Sequence, residues 1–176
     1  MRSLLLTLVV VAFNSARADT AAATACQKPA SCPVVGSAAP PFALPLASGG
    51  RVSLRELLER KRPVVISFWR HDCAPCVAEF PELQKLADSW GEQVSVILIH
   101  VGGPEEKMRA RLEEWRVALP ALLDSFECTS ARYCADSFPQ LWVLDAQGNV
   151  RAAFKGAQKE FSKTVRAAVA PLLAAH

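Results

Sequence analysis

The sequence predicts an α/β fold with a central mixed sheet and helices on both of its faces. Three observations carry that expectation. Two continuous β-branched runs, Pro63 to Trp69 and Val94 to Val101, read as strands covered on both faces. Each is followed by a stretch whose apolar residues recur with helical period. A strand, a turn, a return strand and a last amphipathic helix then close the chain.

Taken in order, the chain opens on a segment that does not belong to the fold. Met1-Arg2-Ser3 is a short positive start, Leu4 to Phe13 is apolar except for Thr7, and Ala16-Arg17-Ala18 offers small residues at a cleavage site. Residues 1–18 therefore read as a secretory signal peptide, with a second cleavage point after Ala25. The apolar run is short for a bilayer span. The expected location is outside the cytoplasm, in the periplasm, with membrane anchoring through an uncleaved signal as the alternative. Residues 19–33 are rich in Ala, Thr, Pro and Ser and read as irregular, so the domain is expected over 34–176.

Within it, Phe42 to Leu46 is an extended piece and Ser48-Gly49-Gly50 a turn. Ser53 is a good N-cap for a short helix through Arg60, with Leu54, Leu57 and Leu58 on one face. After the first buried strand comes a helical pattern from about Cys73 to Trp90. Phe80, Leu83, Leu86, Ala87 and Trp90 line its apolar face, and Pro81 should kink it. After the second strand, residues 105–118 read as a charged helix with Met108, Leu112, Trp115 and Leu119 in line. Ala121 to Leu123 is a short extended piece, and residues 129–135 a helical turn or two. Gln140 to Leu144 and Val150 to Phe154 are strands joined by Asp145-Ala146-Gln147-Gly148-Asn149. Gln158 to Ala174 is the last helix, with Phe161, Val165, Val169 and Leu172 or Leu173 inward.

Bulk composition narrows the function classes. The 176 residues are 51% hydrophobic and 21% charged, which fits one soluble globular domain. The formal net charge is +3, and the basic residues are dispersed rather than striped, which argues against nucleic acid. Six cysteines in an exported chain imply an oxidising compartment. Their spacing suggests three local pairs, Cys26 with Cys32, Cys73 with Cys76 and Cys128 with Cys134. The outer two are expected to be structural disulfides. The alternatives are a second redox relay or a link between the N-terminal segment and the loop around Cys128.

Cys73-Ala74-Pro75-Cys76 carries the chemistry. A C-x-x-C pair serves zinc sites and redox sites alike. Structural zinc needs four ligands, usually a second such pair or a His pair. The other cysteines lie at six-residue spacing, and His71, His100 and His176 are scattered, so no metal is expected. A redox dithiol needs its first thiol at a helix N-terminus, where unpaired N–H groups and the dipole favour thiolate. Cys73 follows a strand and opens a helix, Cys76 falls one turn on, and Pro75 suits a first helical turn. No cofactor beyond a Cys73–Cys76 disulfide is implied.

The stretch Ser67-Phe68-Trp69-Arg70-His71-Asp72-Cys73-Ala74-Pro75-Cys76 resembles the active-site segment of thioredoxin-like proteins. Three runs resemble the exported TlpA/ResA branch of thiol–disulfide oxidoreductases. They are Cys73-x-x-Cys76-x-x-Glu79-Phe80-Pro81, the lead-in Val35-Gly36-Ser37-Ala38-Ala39-Pro40-Pro41-Phe42, and Ser137-Phe138-Pro139-Gln140-Leu141-Trp142-Val143-Leu144-Asp145-x-x-Gly148. The resemblance implies a thioredoxin-like fold from about Val34 onward. It implies Cys73 as attacking and Cys76 as resolving cysteine, Glu79 as a buried acid near them, and Pro139 as a cis-proline. Phe138 would pair its backbone with a substrate strand, and Trp69 would contribute to substrate binding. Ser67 stands where ordinary thioredoxins place an aspartate. The implied partners are protein disulfides or dithiols and a membrane-bound electron donor, with the protein itself a monomer.

One departure stands out. Most members of the family that it resembles carry a tryptophan or another uncharged residue just before the first cysteine, and this chain has Asp72. A carboxylate there disfavours the Cys73 thiolate, and a protonated His71 would oppose it. That leans the reading toward a reductant. Two rivals remain. A peroxiredoxin-like peroxidase would want Thr three residues before the reactive cysteine, where this chain has Arg70. A copper carrier could use the two thiols with His71 or His100.

Overall fold

The computed structural model describes Cys26 and residues 28–174. The signal-peptide reading of residues 1–18 and the second cleavage point at Ala25 lie outside them. Strands β1 (Ala43–Pro45) and β2 (Arg51–Ser53) form an antiparallel hairpin. Helix α1 (Leu54–Glu59) starts on a capping box. The Glu56 N–H donates to the Ser53 hydroxyl, and the Glu56 carboxylate accepts from the Ser53 N–H.

Strand β3 (Val64–Trp69) leads into α2 (Ala74–Trp90), and β4 (Ser95–Val101) into α3 (Glu105–Glu114). Then follow β5 (Ala121–Asp124), α4 (Cys128–Arg132), β6 (Gln140–Leu144), β7 (Val150–Lys155) and α5 (Phe161–Leu173). The main sheet has the order β5-β4-β3-β6-β7. β3, β4 and β5 run parallel, and β6 and β7 antiparallel. It is the mixed sheet that the sequence predicts.

Every residue of β3, β4 and β6 is buried, because helices cover both faces. Val65, Trp69, Leu98, Leu141 and Val143 point to the face that packs Phe80, Leu83 and Leu86 of α2 and Val165 and Val169 of α5. Ile66, Phe68, Ile99, Trp142 and Leu144 point to the other, against Leu54 and Leu57 of α1 and Tyr133 just after α4. The alternation follows from the strand period of two.

Two expectations are corrected here. Helix α3 stops at Glu114, four residues short of the predicted end. Arg116 takes a left-handed φ of 51°, Val117 N–H reaches Leu112 C=O at 2.9 Å, and Arg116 N–H reaches Glu113 C=O at 3.0 Å. That is a Schellman stop, normally signalled by glycine and here made by arginine. It leaves Trp115 exposed, while Leu119 is buried from the following loop. Helix α2, by contrast, runs continuously through Pro81.

The second correction concerns the outer cysteines. They do not pair locally. Cys26 bonds Cys128 and Cys32 bonds Cys134, with Cα–Cα separations of 4.0 and 5.7 Å. Cys128 opens α4 and Cys134 lies two residues past its end with a left-handed φ of 51°, so the two cysteines stand at opposite ends of the helical turn. Cys26 and residues 28–32 instead lie as an irregular strap across α4. Its Lys28 ammonium lies 2.8 Å from the Asp136 carboxylate, which also meets Lys155 at 3.2 Å. The two lysines hold the Asp136 carboxyl down at about 2.

Each bridge spans 102 residues, and the two overlap, offset by six residues at both ends. With one closed, the other closes only a ring of about 14 residues. Loop entropy then assigns about 3 kcal/mol to whichever bridge is lost first and about 4.7 kcal/mol to the second. Urea denaturation of Cys26→Ser/Cys128→Ser, Cys32→Ser/Cys134→Ser and the combined variant should show this order-dependence. Peptide mapping under non-reducing conditions should recover the crossed pairs.

Candidate active site

The site sits where β3 ends. In the sheet, the C-terminal ends of β3, β4 and β5 and the N-terminal end of β6 share one edge, since Phe68 pairs Gln140 and His100 pairs both Trp69 and Leu123. Chain leaving β3 turns through Arg70, His71 and Asp72, and Cys73 N–H closes the turn on Arg70 C=O at 3.2 Å. Cys73 is the N-cap of α2 in extended conformation, and Pro75 lies in the first turn. This is the strand-to-helix placement that the spacing predicts.

Cys73 and Cys76 are joined as a disulfide. Cys73 is half-buried and Cys76 is 1% exposed, so only the first sulfur is open to a partner. The Cys76 N–H points at Cys73 Sγ from 3.2 Å. That sulfur occupies the place of a nucleophilic thiolate, which the N–H and the helix N-terminus would stabilise. Trp69 and Phe80 pack edge-on at 4.9 Å across the dithiol, one just before it and one just after.

Trp69 is correspondingly 0% exposed. It supports the site from below and presents no surface to a substrate, which corrects its expected role in binding. The reason is that β3 is covered on both faces up to its last residue. The Phe138–Pro139 peptide bond is cis, and Phe138 is half-buried between the two core faces. By strand register it lies beside the end of β3.

Glu79 lies one turn beyond Cys76 on α2, half-buried. Burial pushes its carboxyl up to about 7, and the nearby Glu82 adds to the rise. The Gln158 N–H, donating to Glu79 Oε1 at 3.0 Å, pulls the other way. Asp72 is also more than a free charge. Its desolvation is outweighed by its own backbone N–H, by Arg70 and by His71, so its carboxyl sits below the ordinary range. Arg70 Nε is 3.3 Å from Asp72, and Arg70 Nη1 is 3.7 Å from Glu127.

His71 does not project into solvent as an isolated loop residue. Its Nδ1 lies 3.3 Å from His100 Nε2, and His100 is 1% exposed beneath Trp69. Burial first, then the charges of His71 and Arg70, lower His100 to about 4, so it is neutral at physiological pH. Gly103 makes the close approach feasible, because a Cβ there would stand 2.6 Å from His71 Cε1. Among the described residues, no three His, Cys, Asp or Glu side chains converge as a metal site.

Arg70 and Glu127 were not singled out in the sequence, and neither was the buried Asp124. Asp124 ends β5 and accepts hydrogen bonds from Thr129 N–H at 3.1 Å and Ser130 N–H at 2.7 Å. An acid four residues before a short helical segment was the available signal.

A half-exposed sulfur capping a helix, bridged to a shielded one and flanked by a cis-proline, places the chain among the thioredoxin-like thiol–disulfide oxidoreductases. The chain belongs to the AhpC/TSA family, whose profile matches residues 35–153. It is 29% identical over 119 residues to thioredoxin-like protein YneN of Bacillus subtilis, covering 66% of this chain and 68% of that protein. It is 26% identical over 126 residues to thiol-disulfide oxidoreductase ResA of the same organism, covering 71% and 69%. Among solved structures it superposes on a putative thiol:disulfide interchange protein DsbE from Chlorobium tepidum. There the TM-score is 0.74, with 20% identity over 80% of this chain and 99% of that one. Within the family it is of the TlpA/ResA type. Among the described residues no helix is long and apolar enough to cross a membrane.

Glu79 gives a signed prediction. Its folded value of about 7 exceeds its ordinary 4.5, so the folded state holds the extra proton between those values. That contribution to stability is therefore lost as pH rises from about 4.5 through 7. His100 works in the opposite sense, losing stability as pH falls from 6.5 toward 4. In Glu79→Gln the first slope should vanish. The variant-minus-parent difference in urea midpoint, in which the His100 slope cancels, should grow from pH 5 to pH 8.

Proposed function

We propose that this protein exchanges disulfides with exported proteins through Cys73 and Cys76, and that it runs as a reductant. The observation that carries the reading is the asymmetry of the two sulfurs, one half-exposed at a helix N-terminus and one shielded a turn below. In the reducing direction the Cys73 thiolate attacks a substrate disulfide. A Cys73–substrate S–S bond forms, the substrate S–S bond breaks, and the departing thiolate takes a proton from solvent. The Cys76 thiol then passes its proton to the Glu79 carboxylate and attacks Cys73 Sγ. The Cys73–Cys76 bond forms and the Cys73–substrate bond breaks; the departing substrate thiolate takes up the proton held on Glu79, and the substrate leaves with two more electrons than it brought. A Glu79 carboxyl near 7 suits that transfer at neutral pH. The backbone of Phe138, beside the cis bond, would hold the substrate strand in register.

Direction rests on charge. Arg70 is shared between Asp72 and Glu127, so this group carries a net negative charge next to the dithiol. Negative charge disfavours the Cys73 thiolate, destabilises the reduced form and lowers the potential. A reductant needs its electrons restored after each turnover, and a membrane-bound donor fits an exported chain. No cofactor beyond the protein's own disulfide enters the scheme.

Two measurements check this. Cys76→Ser should accumulate a mixed disulfide with a protein substrate, and Cys73→Ser should not; equal trapping by both would reverse the roles. The Cys73–Cys76 potential should lie below about −200 mV, and a value near −120 mV would overturn the reductant reading. Asp72→Asn should move it toward the oxidising side, by about 30 mV for each tenfold gain in reduced-form stability.

A further inference from the structure

Phe126 is 87% exposed. Single exposed apolar side chains are ordinary on protein surfaces, so exposure alone assigns nothing. Its position does. Phe126 follows β5 on the sheet edge that carries the dithiol, with β4 between β5 and β3. Phe138 precedes β6, the neighbour of β3 on the other side. The dithiol thus lies between the two phenylalanines along one edge. At about 4.8 Å per strand, Phe126 stands roughly 10 Å to one side of the dithiol line and Phe138 roughly 5 Å to the other.

The loop that presents Phe126 is held on every side. Glu127 N–H bonds Asp124 C=O at 3.0 Å, and the Asp124 carboxylate takes the N–H groups of Thr129 and Ser130. Arg70, two residues from Asp72, reaches Glu127. Gly102 lets Glu127 approach β4, since a Cβ there would collide with its carboxylate. Cys128, two residues on, is bonded to Cys26. An exposed ring on so constrained a loop loses little entropy when a partner covers it. Beside it opens a groove of about 280 Å³, lined by Leu44, Pro45 and Leu123 together with Arg51, Asp124 and Arg132, with room for one apolar side chain between charged neighbours.

We propose that Phe126 is a docking residue for the protein substrate. It and the groove beside it would take an apolar side chain near the substrate cysteine, on the side of the dithiol opposite Phe138 and Pro139. The substrate class this selects is a protein disulfide flanked by large apolar residues, as exposed in an incompletely folded chain. The inference rests on the exchange reading above and adds to it a site of selection.

Two short peptides, each closed by one disulfide, test it. They are identical except that one carries Leu and Phe beside its cysteines and the other Ser and Gly. The rate of mixed-disulfide formation is followed with reduced protein in the Cys76→Ser background. The apolar peptide should react about tenfold faster, a difference well within what burial of an aromatic ring supplies. Adding Phe126→Ser should bring that ratio to about one. Adding Val35→Ser should leave it at about ten. Val35 is also exposed, but lies at the opposite sheet edge, where Gly36 N–H bonds Val150 C=O. The proposal is overturned if the parent shows no preference, if the preference survives Phe126→Ser, or if Val35→Ser abolishes it equally. If neither peptide forms a mixed disulfide, the exchange reading fails instead and the docking role falls with it.

Discussion

One aromatic contact sets the geometry of the dithiol. Trp69 ends β3, Phe80 lies in the second turn of α2, and their rings meet edge-on at 4.9 Å in the same core cluster as Cys76. An edge-to-face pair is worth about 0.5–1.5 kcal/mol beyond the area it buries. Its larger effect is positional. It pins the first turns of α2 to the end of a strand buried on both faces, and so fixes which sulfur faces out. Cys76 sinks to 1% exposure because that contact draws the helix inward, while Cys73 stays at the rim because it caps the helix rather than joining it. The cap interaction, the open sulfur and the reach of Glu79 follow from that placement.

The interior around the dithiol is arranged to stay uncharged. Glu79 keeps its proton to about 7 and His100 gives up its proton down to about 4. Both shifts have the same cause, since burial penalises the ionic form of either group. Between those values neither carries charge, and the ionic groups near the site lie at its surface, in Arg70, Asp72 and Glu127. The potential of the dithiol is thereby left to surface charge and the helix terminus. The proposed proton transfer relies on the half-buried Glu79.

Much of this was readable in the residues. The β-branched runs gave β3 and β4 nearly to the residue, because strands covered on both faces need no alternation. Ser53 as an N-cap with Leu54, Leu57 and Leu58 on one face placed α1, and the Asp145–Asn149 turn placed β6 and β7. Cys73 could be put at a helix start by its spacing and neighbours alone. The misses have physical reasons. Arg116 in a left-handed conformation ends α3 without the glycine that usually marks such a stop. The resemblance implies substrate binding for Trp69, whereas the strand that carries it is covered to its last residue. Arg70 and Glu127 are 57 positions apart in the chain and meet only because β3 and β5 end on one edge. The cysteine pairing was misread because closeness in sequence was taken for closeness in space. Equal six-residue spacing in two separate segments is also what two aligned segments joined rung by rung would show.

The strap has a mechanical consequence. Val34 and Gly36 enter the domain at the sheet edge remote from the dithiol, where Gly36 meets Val150. Cys26 and Lys28, however, are fastened at the opposite end, to Cys128 and Asp136. Load applied through the chain ahead of Cys26 therefore enters the domain beside α4, at its reacting end, and is borne by covalent bonds before it reaches the sheet. A body tethered there would hang with its dithiol turned toward the point of attachment. Without the two rungs, the same tether would pull from Val34 and turn the dithiol away.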